Sequence, residues 1–252
     1  MEQTMNTEAE KIIEWVKDYV TSTKAKGVII GMSGGKDSLV SAALCIKALG
    51  KDKVLGVIMP NGEMADITDA LDSCKMLGID YEIIDISTAY KNIIEETGFT
   101  LQGRNANVTS ITTINTPPRL RMTVLYALAG SLNYLVVNTS NLSEIMVGYS
   151  TKWGDSAGDI APLADYTKSE VCKIGLVLGL PDNLVNKTPS DGLSGQSDED
   201  KLGFTYNELD TLIRNNKKGS NYNKILSSHI ATKHKRDKIP SPKSDRNNYF
   251  NN

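Results

Sequence analysis

The chain has 252 residues, 40% of them apolar, enough for one sizeable core, and its formal charge of −2 lacks the overall basic excess of a nucleic-acid binder. No apolar run approaches the length that spans a bilayer, and Cys45, Cys74 and Cys172 form no CxxC pair and lie near no His cluster, which speaks against a zinc site or a disulfide framework. The expectation is a single domain over residues 1–252, soluble and cytoplasmic, with no membrane or nucleic-acid partner.

In chain order, Ile12, Ile13, Trp15, Val16, Tyr19 and Val20 recur at helical spacing and predict an N-terminal amphipathic helix. Val28-Ile29-Ile30 then reads as a strand, Gly31-Met32-Ser33-Gly34-Gly35-Lys36-Asp37-Ser38 as a turn, and Leu39 to Leu49 as a helix. Adjacent glycines let backbone amides approach an oxyanion, and the start of the helix adds its partial positive charge. The turn therefore predicts anion binding, although its spacing is not that of a Walker A loop. Strand-like Val54 to Met59 follows, then Met64, Ile67, Leu71, Cys74 and Leu77 on one helical face, then strand-like Tyr81 to Ile86. Pro117-Pro118 precede a predicted helix from about Arg119 to Ala129, and Tyr134 to Asn138 is the fourth strand candidate.

Short β-rich runs alternating with helical ones predict an α/β fold, a doubly wound parallel sheet with extra helices at both ends. Ligands of such sheets bind beyond the carboxyl ends of the strands, where the glycine turn, Pro60-Asn61 and Asn138-Thr139-Ser140 all fall. Residues 188–203, polar, acidic and glycine-containing, read as a mobile loop or lid. Tyr206 to Ile213 and Tyr222 to Ile230 read as short helices, and residues 241–252 as a poorly ordered tail. Residues 214–252 hold ten Lys or Arg against two Asp, which suits either an anionic ligand or a solvated tail.

The glycine turn resembles the SGGxDS loop of the N-type ATP pyrophosphatases, which have a Rossmann-like fold and cleave ATP between its α and β phosphates. Further motifs narrow the resemblance: Asn138 to Glu144, Gly148 to Asp155, Asp159, Pro162-Leu163, Thr167-Lys168, Pro118 to Met122, Lys187 to Ser190, Gly195 to Glu199 and His234-Lys235-Arg236. Together they cover nearly the whole chain and are similar to ammonia-dependent NAD synthetases, ligases that convert deamido-NAD, ATP and ammonia to NAD, AMP and diphosphate through an acyl adenylate.

That resemblance implies that the loop Ser33, Gly34, Gly35, Lys36, Asp37 and Ser38 holds the ATP phosphates, with Asp37 catalytic; Lys36 stands at the variable position of the loop, and its catalytic contact with phosphate is inferred from its charge. It implies Asp37 and Glu144 as Mg2+ ligands, Thr139, Lys168 and Ser190 as further ATP contacts, and Arg119, Lys152, Asp159, His234 and Lys235 as deamido-NAD contacts. Asp155 matches a catalytic position near ammonia, where it would hold ammonium or assist its deprotonation. A homodimer with a shared dinucleotide site is also implied, as is free ammonia as nitrogen source, since no amidase domain accompanies the motifs.

Other readings compete for individual residues. Asp37 also suits the first turn of a helix, and Glu144 three residues after Asn141 has capping-box spacing. Arg119 and Arg121 point to nearly opposite sides of a helix, so one reaches the ligand, and family position favours Arg119. For the whole chain the rivals are another ATP pyrophosphatase, GMP-synthetase-like or tRNA-modifying, and a non-catalytic adenine-nucleotide sensor.

Overall fold

A computed structural model describes residues 2–62, 67–186 and 197–242 of the protein. Four parallel strands form its sheet: β1 (Gly27–Gly31), β2 (Val54–Ile58), β3 (Asp80–Ile83) and β4 (Tyr134–Val137), in the order β3-β2-β1-β4. The helices are α1 (Glu2–Ser22), α2 (Lys36–Leu49), α3 (Ile67–Leu77), α4 (Ser87–Gln102), α5 (Ser110–Leu132), α6 (Leu142–Val147), α7 (Lys168–Val177), α8 (Asp182–Val185), α9 (Asp198–Leu202), α10 (Tyr206–Asn215), α11 (Tyr222–Ala231) and α12 (Lys233–Arg236).

β1 is central because its β-branched run is apolar on both faces, the pattern of a parallel strand covered twice. Val28 and Ile30 pack with Val16 of α1, Leu44 of α2 and Ile174 of α7, whereas Ile29 packs on the opposite side with Val57, Val136 and Leu125 of α5. Fully burying each of these aliphatic side chains contributes about 1.5–3 kcal/mol. A third cluster, Val147, Phe204, Tyr206, Leu209 and Ile225, joins α6, α10 and α11.

The chain winds from β1 outward through β2 to β3 and then returns to place β4 on the other side of β1. The strand order thus reverses between β1 and β4, and the segments after these two strands face one crevice. Beside it, residues 157–160 run against β4: Asn138 N donates to Ile160 O (2.8 Å) and Asp159 N to Val136 O (2.8 Å). Glycine at 158 permits this approach, since a Cβ there would lie 2.7 Å from Asn138 N.

The structure changes several predicted boundaries. α5 begins at Ser110 and runs through Pro117 and Pro118 instead of starting after them. The prolines remove two ladder donors, but their fixed φ suits a helix, and the helix is tied at its start by Thr109, whose side chain accepts from Thr112 N. α4 has no counterpart in the sequence reading, and β3 ends at Ile83, three residues short of the predicted run. Within the predicted loop 188–203, Asp198–Leu202 forms a helix capped by Ser197, while 187–196 lies outside the described residues, as do Met64 and the tail from 243.

Candidate functional site

The glycine turn continues β1 by one hydrogen bond, Met32 N to Val57 O (2.8 Å), and then reverses at Gly34, whose φ of 79° is a left-handed conformation that glycine adopts without a steric penalty. Its two serines lock it. Ser38 Oγ donates to Gly35 O (2.9 Å) and accepts from Ser33 N (3.4 Å), and Gly35 N donates to Ser33 Oγ (3.2 Å). The N-cap residue of α2, Gly35, provides no side-chain cap, so the first-turn amides of this helix suit an oxyanion.

Below the turn, two carboxylates from distant segments share one ammonium. Lys168 Nζ donates to Asp37 Oδ2 (2.6 Å) and to Glu144 Oε1 (2.8 Å), and Asn141 Nδ2 donates to Asp37 Oδ1 (3.1 Å). Lys168 is only 5% exposed, and its Nζ also lies 5.1 Å from the centre of the Tyr206 ring. Burial opposes its charge, yet Asp37 and Glu144 hold its pKa well above the ordinary lysine value. Burial pushes Glu144 up to about 7, with Asp37 adding to the effect and Lys168 opposing it. Glu144 has the capping role open to it in the sequence, since Asn141 Oδ1 accepts from its N–H (3.1 Å) in a capping box, and its carboxylate also meets Lys168.

A second group of side chains surrounds the loop between α6 and residue 159. Asp155 Oδ1 accepts from Thr151 N (2.5 Å), and burial raises its pKa while Thr151 N–H and Lys235 oppose the rise. Lys235 Nζ donates to Gly148 O (2.8 Å) and Ser150 O (2.6 Å), and Lys152 Nζ donates to His234 O (2.5 Å), so α12 fastens this loop. Trp153, half-exposed at a positive φ of 62°, lies beside the Lys152 ammonium, 5.3 Å from Nζ to ring centre.

Asp37, Glu144 and Lys168 are thus brought together at the glycine turn, while Lys152, Asp155, His234 and Lys235 gather around the neighbouring loop. Thr139 follows β4 in the crevice. Lys36 is 8% exposed, and its Nζ lies 3.7 Å from Cys172 Sγ of α7, a partner that spacing did not suggest. The Asp159 carboxylate accepts from Val136 N of β4 (2.8 Å) and from Tyr126 OH of α5 (3.2 Å). Ser190 lies outside the described residues.

Of the two arginines, Arg119 is on the exposed side, where its Nε donates to Lys152 O (3.3 Å). Arg121 points inward: its Nε donates to Met59 O (3.0 Å), and burial lowers its pKa while the Asp155 charge opposes that shift. Sequence reasoning also passed over Asn141, Tyr206 and Asp210. Asn141 carried a signal in its capping-box spacing, but Tyr206 and Asp210 read only as members of a short helix.

Asp37 and Glu144 offer hard carboxylate oxygens that converge on the Lys168 ammonium, a donor type that also suits a magnesium ion. Amides above and charges below can hold a polyphosphate with its counter-cation.

The NAD synthase family model matches residues 8–246. An NH(3)-dependent NAD(+) synthetase of Finegoldia magna is 40% identical over 242 residues, covering 95% of this chain and 97% of that protein. Among solved structures, the NMN synthetase of Francisella tularensis superposes with a TM-score of 0.84 at 35% identity, covering 94% of this chain and 98% of that one. The NH3-dependent NAD synthetase of Campylobacter jejuni gives 0.77 at 28%, covering 95% and 99%.

Proposed function

The chain belongs to the NAD synthase family, and we propose that it is an ammonia-dependent ligase that amidates deamido-NAD to NAD while cleaving ATP to AMP and diphosphate. The observation that carries this reading is the convergence of Asp37, Glu144 and Lys168 beneath an uncapped glycine turn.

A carboxylate resists attack by ammonia, so the nicotinate carboxylate first attacks the α-phosphorus of ATP; a P–O bond forms and the bond to diphosphate breaks. Ammonia then attacks the acyl carbon of the adenylate, AMP departs, and a proton is lost from nitrogen. Amides of the Ser33 to Ser38 turn and the Lys168 ammonium bind the charge collecting on diphosphate, each preorganised donor lowering the barrier by roughly 3 kcal/mol. Asp37 and Glu144 would hold magnesium, which when bound neutralises phosphate charge. Lys36 at the turn, with Thr139 and Ser190, completes the ATP contacts in this assignment. Arg119, Lys152, Asp159, His234 and Lys235 contact the dinucleotide, and Asp155 receives ammonium or its proton. The reaction is assigned to the cytoplasm.

The assignment includes a homodimer. Ile93 and Phe99 of α4 and Ile111 and Ile114 of α5 are exposed, Phe99 at 69%, and an apolar set of this kind suits burial against a second copy. Phe99→Asp with Ile114→Asp is expected to give monomers in light scattering and to raise KM for the dinucleotide more than KM for ATP. Equal effects on both would rule out a shared dinucleotide site.

A second reading, amidation of nicotinate mononucleotide, is favoured by the likeness to the Francisella protein; the chemistry is the same and only the length of the nucleotide differs. The test is amide formation from either acid with ATP and magnesium, with ammonium or glutamine supplied in parallel and Asp37→Ala as control. Preference for the dinucleotide with ammonium supports the assignment, and preference for the mononucleotide selects the second reading. Diphosphate release only with some other acceptor would mean a different ATP pyrophosphatase, and no turnover with either acid would mean a sensor.

A further inference from the structure

We infer that Asp210 is a positioning residue for the ATP site, its buried carboxylate setting the backbone positions from which Glu144 meets Lys168 and Lys168 reaches Asp37. This inference rests on the assignment of those three side chains to ATP and magnesium.

Asp210 lies on α10 and is 7% exposed. Its Oδ1 accepts from Ser143 Oγ (2.5 Å), and its Oδ2 accepts from both Ser169 N (2.8 Å) and Ser169 Oγ (2.5 Å). All three partners are donors. A buried carboxylate surrounded in this way can be replaced by no neutral side chain of equal size without leaving a donor unpaired.

The second link is Ser143. Its one proton goes to Asp210, which leaves a lone pair to accept from Lys168 N at 3.0 Å. Ser143 immediately precedes Glu144, and Ser169 immediately follows Lys168. One carboxylate therefore joins the first turn of α6 to the first turn of α7, and the residues on either side of that joint carry the two charges that meet each other, Glu144 and Lys168, the latter also bonded to Asp37. Lys168 Nζ lies within hydrogen-bond reach of both acids, so a small shift of its backbone breaks at least one contact. The same helix sends Tyr206, one turn earlier, to the face of the Lys168 ammonium.

In Asp210→Asn the amide oxygen can serve the fixed Ser169 N–H, but the amide NH2 then faces Ser143 Oγ, which can take it only on its second lone pair, beside the bond from Lys168 N. The Ser143 proton is left without its acceptor, and the link to Lys168 is disturbed while volume is conserved.

The test uses the full chain and two readouts: calorimetric binding of ATP with and without magnesium, and steady-state kinetics. Asp210→Asn is expected to weaken magnesium-dependent ATP binding and raise KM for ATP about tenfold, as loss of an outer-shell partner does, with KM for the acid substrate changed less than about twofold. Ser143→Ala should act in the same direction, and adding it to Asp210→Asn should cost less than it does alone, because both break one relay.

A merely structural role would lower the melting temperature and move both KM values together, and that result overturns the inference. So does ATP binding unchanged in a folded Asp210→Asn. If that variant does not fold, Ser143→Ala and Ser169→Ala decide by the same split. Asp37→Ala separates the two levels: if it abolishes magnesium-dependent ATP binding while the Asp210 and Ser143 variants bind as the parent does, only the positioning role fails. If Asp37→Ala binds ATP normally, the site assignment fails and the inference with it.

Discussion

The glycine turn and the charged cluster beneath it serve one proposed site but are built in opposite ways. Ser33 to Ser38 are contiguous, and the hydrogen bonds by which Ser33, Gly35 and Ser38 close the turn span at most five residues. The cluster joins Asp37 to Asn141 across 104 positions and to Lys168 across 131, with Asp210 reached only through a further helix. A site made of backbone amides depends on φ and ψ, and few substitutions can damage it. A site made of distant side chains depends on every helix that carries one.

The sharpest way to break this contrast is Lys168→Met, which leaves the two carboxylates without their shared cation. Turnover is expected to fall by about 10²–10³-fold, as on loss of one preorganised charge donor. In metal-free buffer the variant should also melt earlier than the parent, with magnesium raising its melting temperature more than the parent's, because the ion replaces the missing charge. Calorimetry with and without magnesium reads this. Equal shifts in both proteins would mean that Asp37 and Glu144 do not form one cation site.

Gly34→Ala attacks the local half. A side chain at φ 79° costs roughly 1–2 kcal/mol, since Cβ crowds the following carbonyl. If that strain is relieved by distorting the turn, KM for ATP should rise by up to about tenfold, 1.4 kcal/mol being a factor of ten. KM for the acid substrate should stay nearly constant, and thermal melting should register the remainder. A variant with parental stability and parental KM would show that the left-handed turn is not needed.

The cluster's own stability should also depend on pH. Glu144 is raised from 4.5 to about 7 by burial, so between those values the folded chain keeps a proton that the unfolded chain releases. This group therefore contributes stability that is full below about 4.5 and is lost as pH rises through about 7. Melting in metal-free buffer across that window should show the decline, and Glu144→Gln should flatten it. A variant that keeps the parental slope would place the responsible proton elsewhere.

The strand, turn and first helix of the site were legible because each depends on neighbours in sequence: Val28-Ile29-Ile30 as a strand buried on both faces, Gly34 and Gly35 as a turn, Leu39 to Leu49 as a helix. The alternation of β-rich and helical runs likewise led to a parallel sheet, and the three predicted strand ends do lie along one edge. The sequence pointed to a helix start at about Arg119, after Pro117-Pro118, but α5 begins nine residues earlier, at Ser110, a case in which long-range packing outweighs a local preference.

Sequence by itself therefore determined the fold class and the glycine turn, since hydrophobic periodicity and backbone conformation are short-range properties. Tertiary structure alone decided that Lys168 bridges Asp37 and Glu144, that Lys36 meets Cys172, that Arg121 and not Arg119 turns inward toward Asp155, and that Asp210 ties α6 to α7. A charged residue on a helix reads in sequence as a solvated face. Only the helices packed around it decide whether its charge is buried and which distant group must satisfy it.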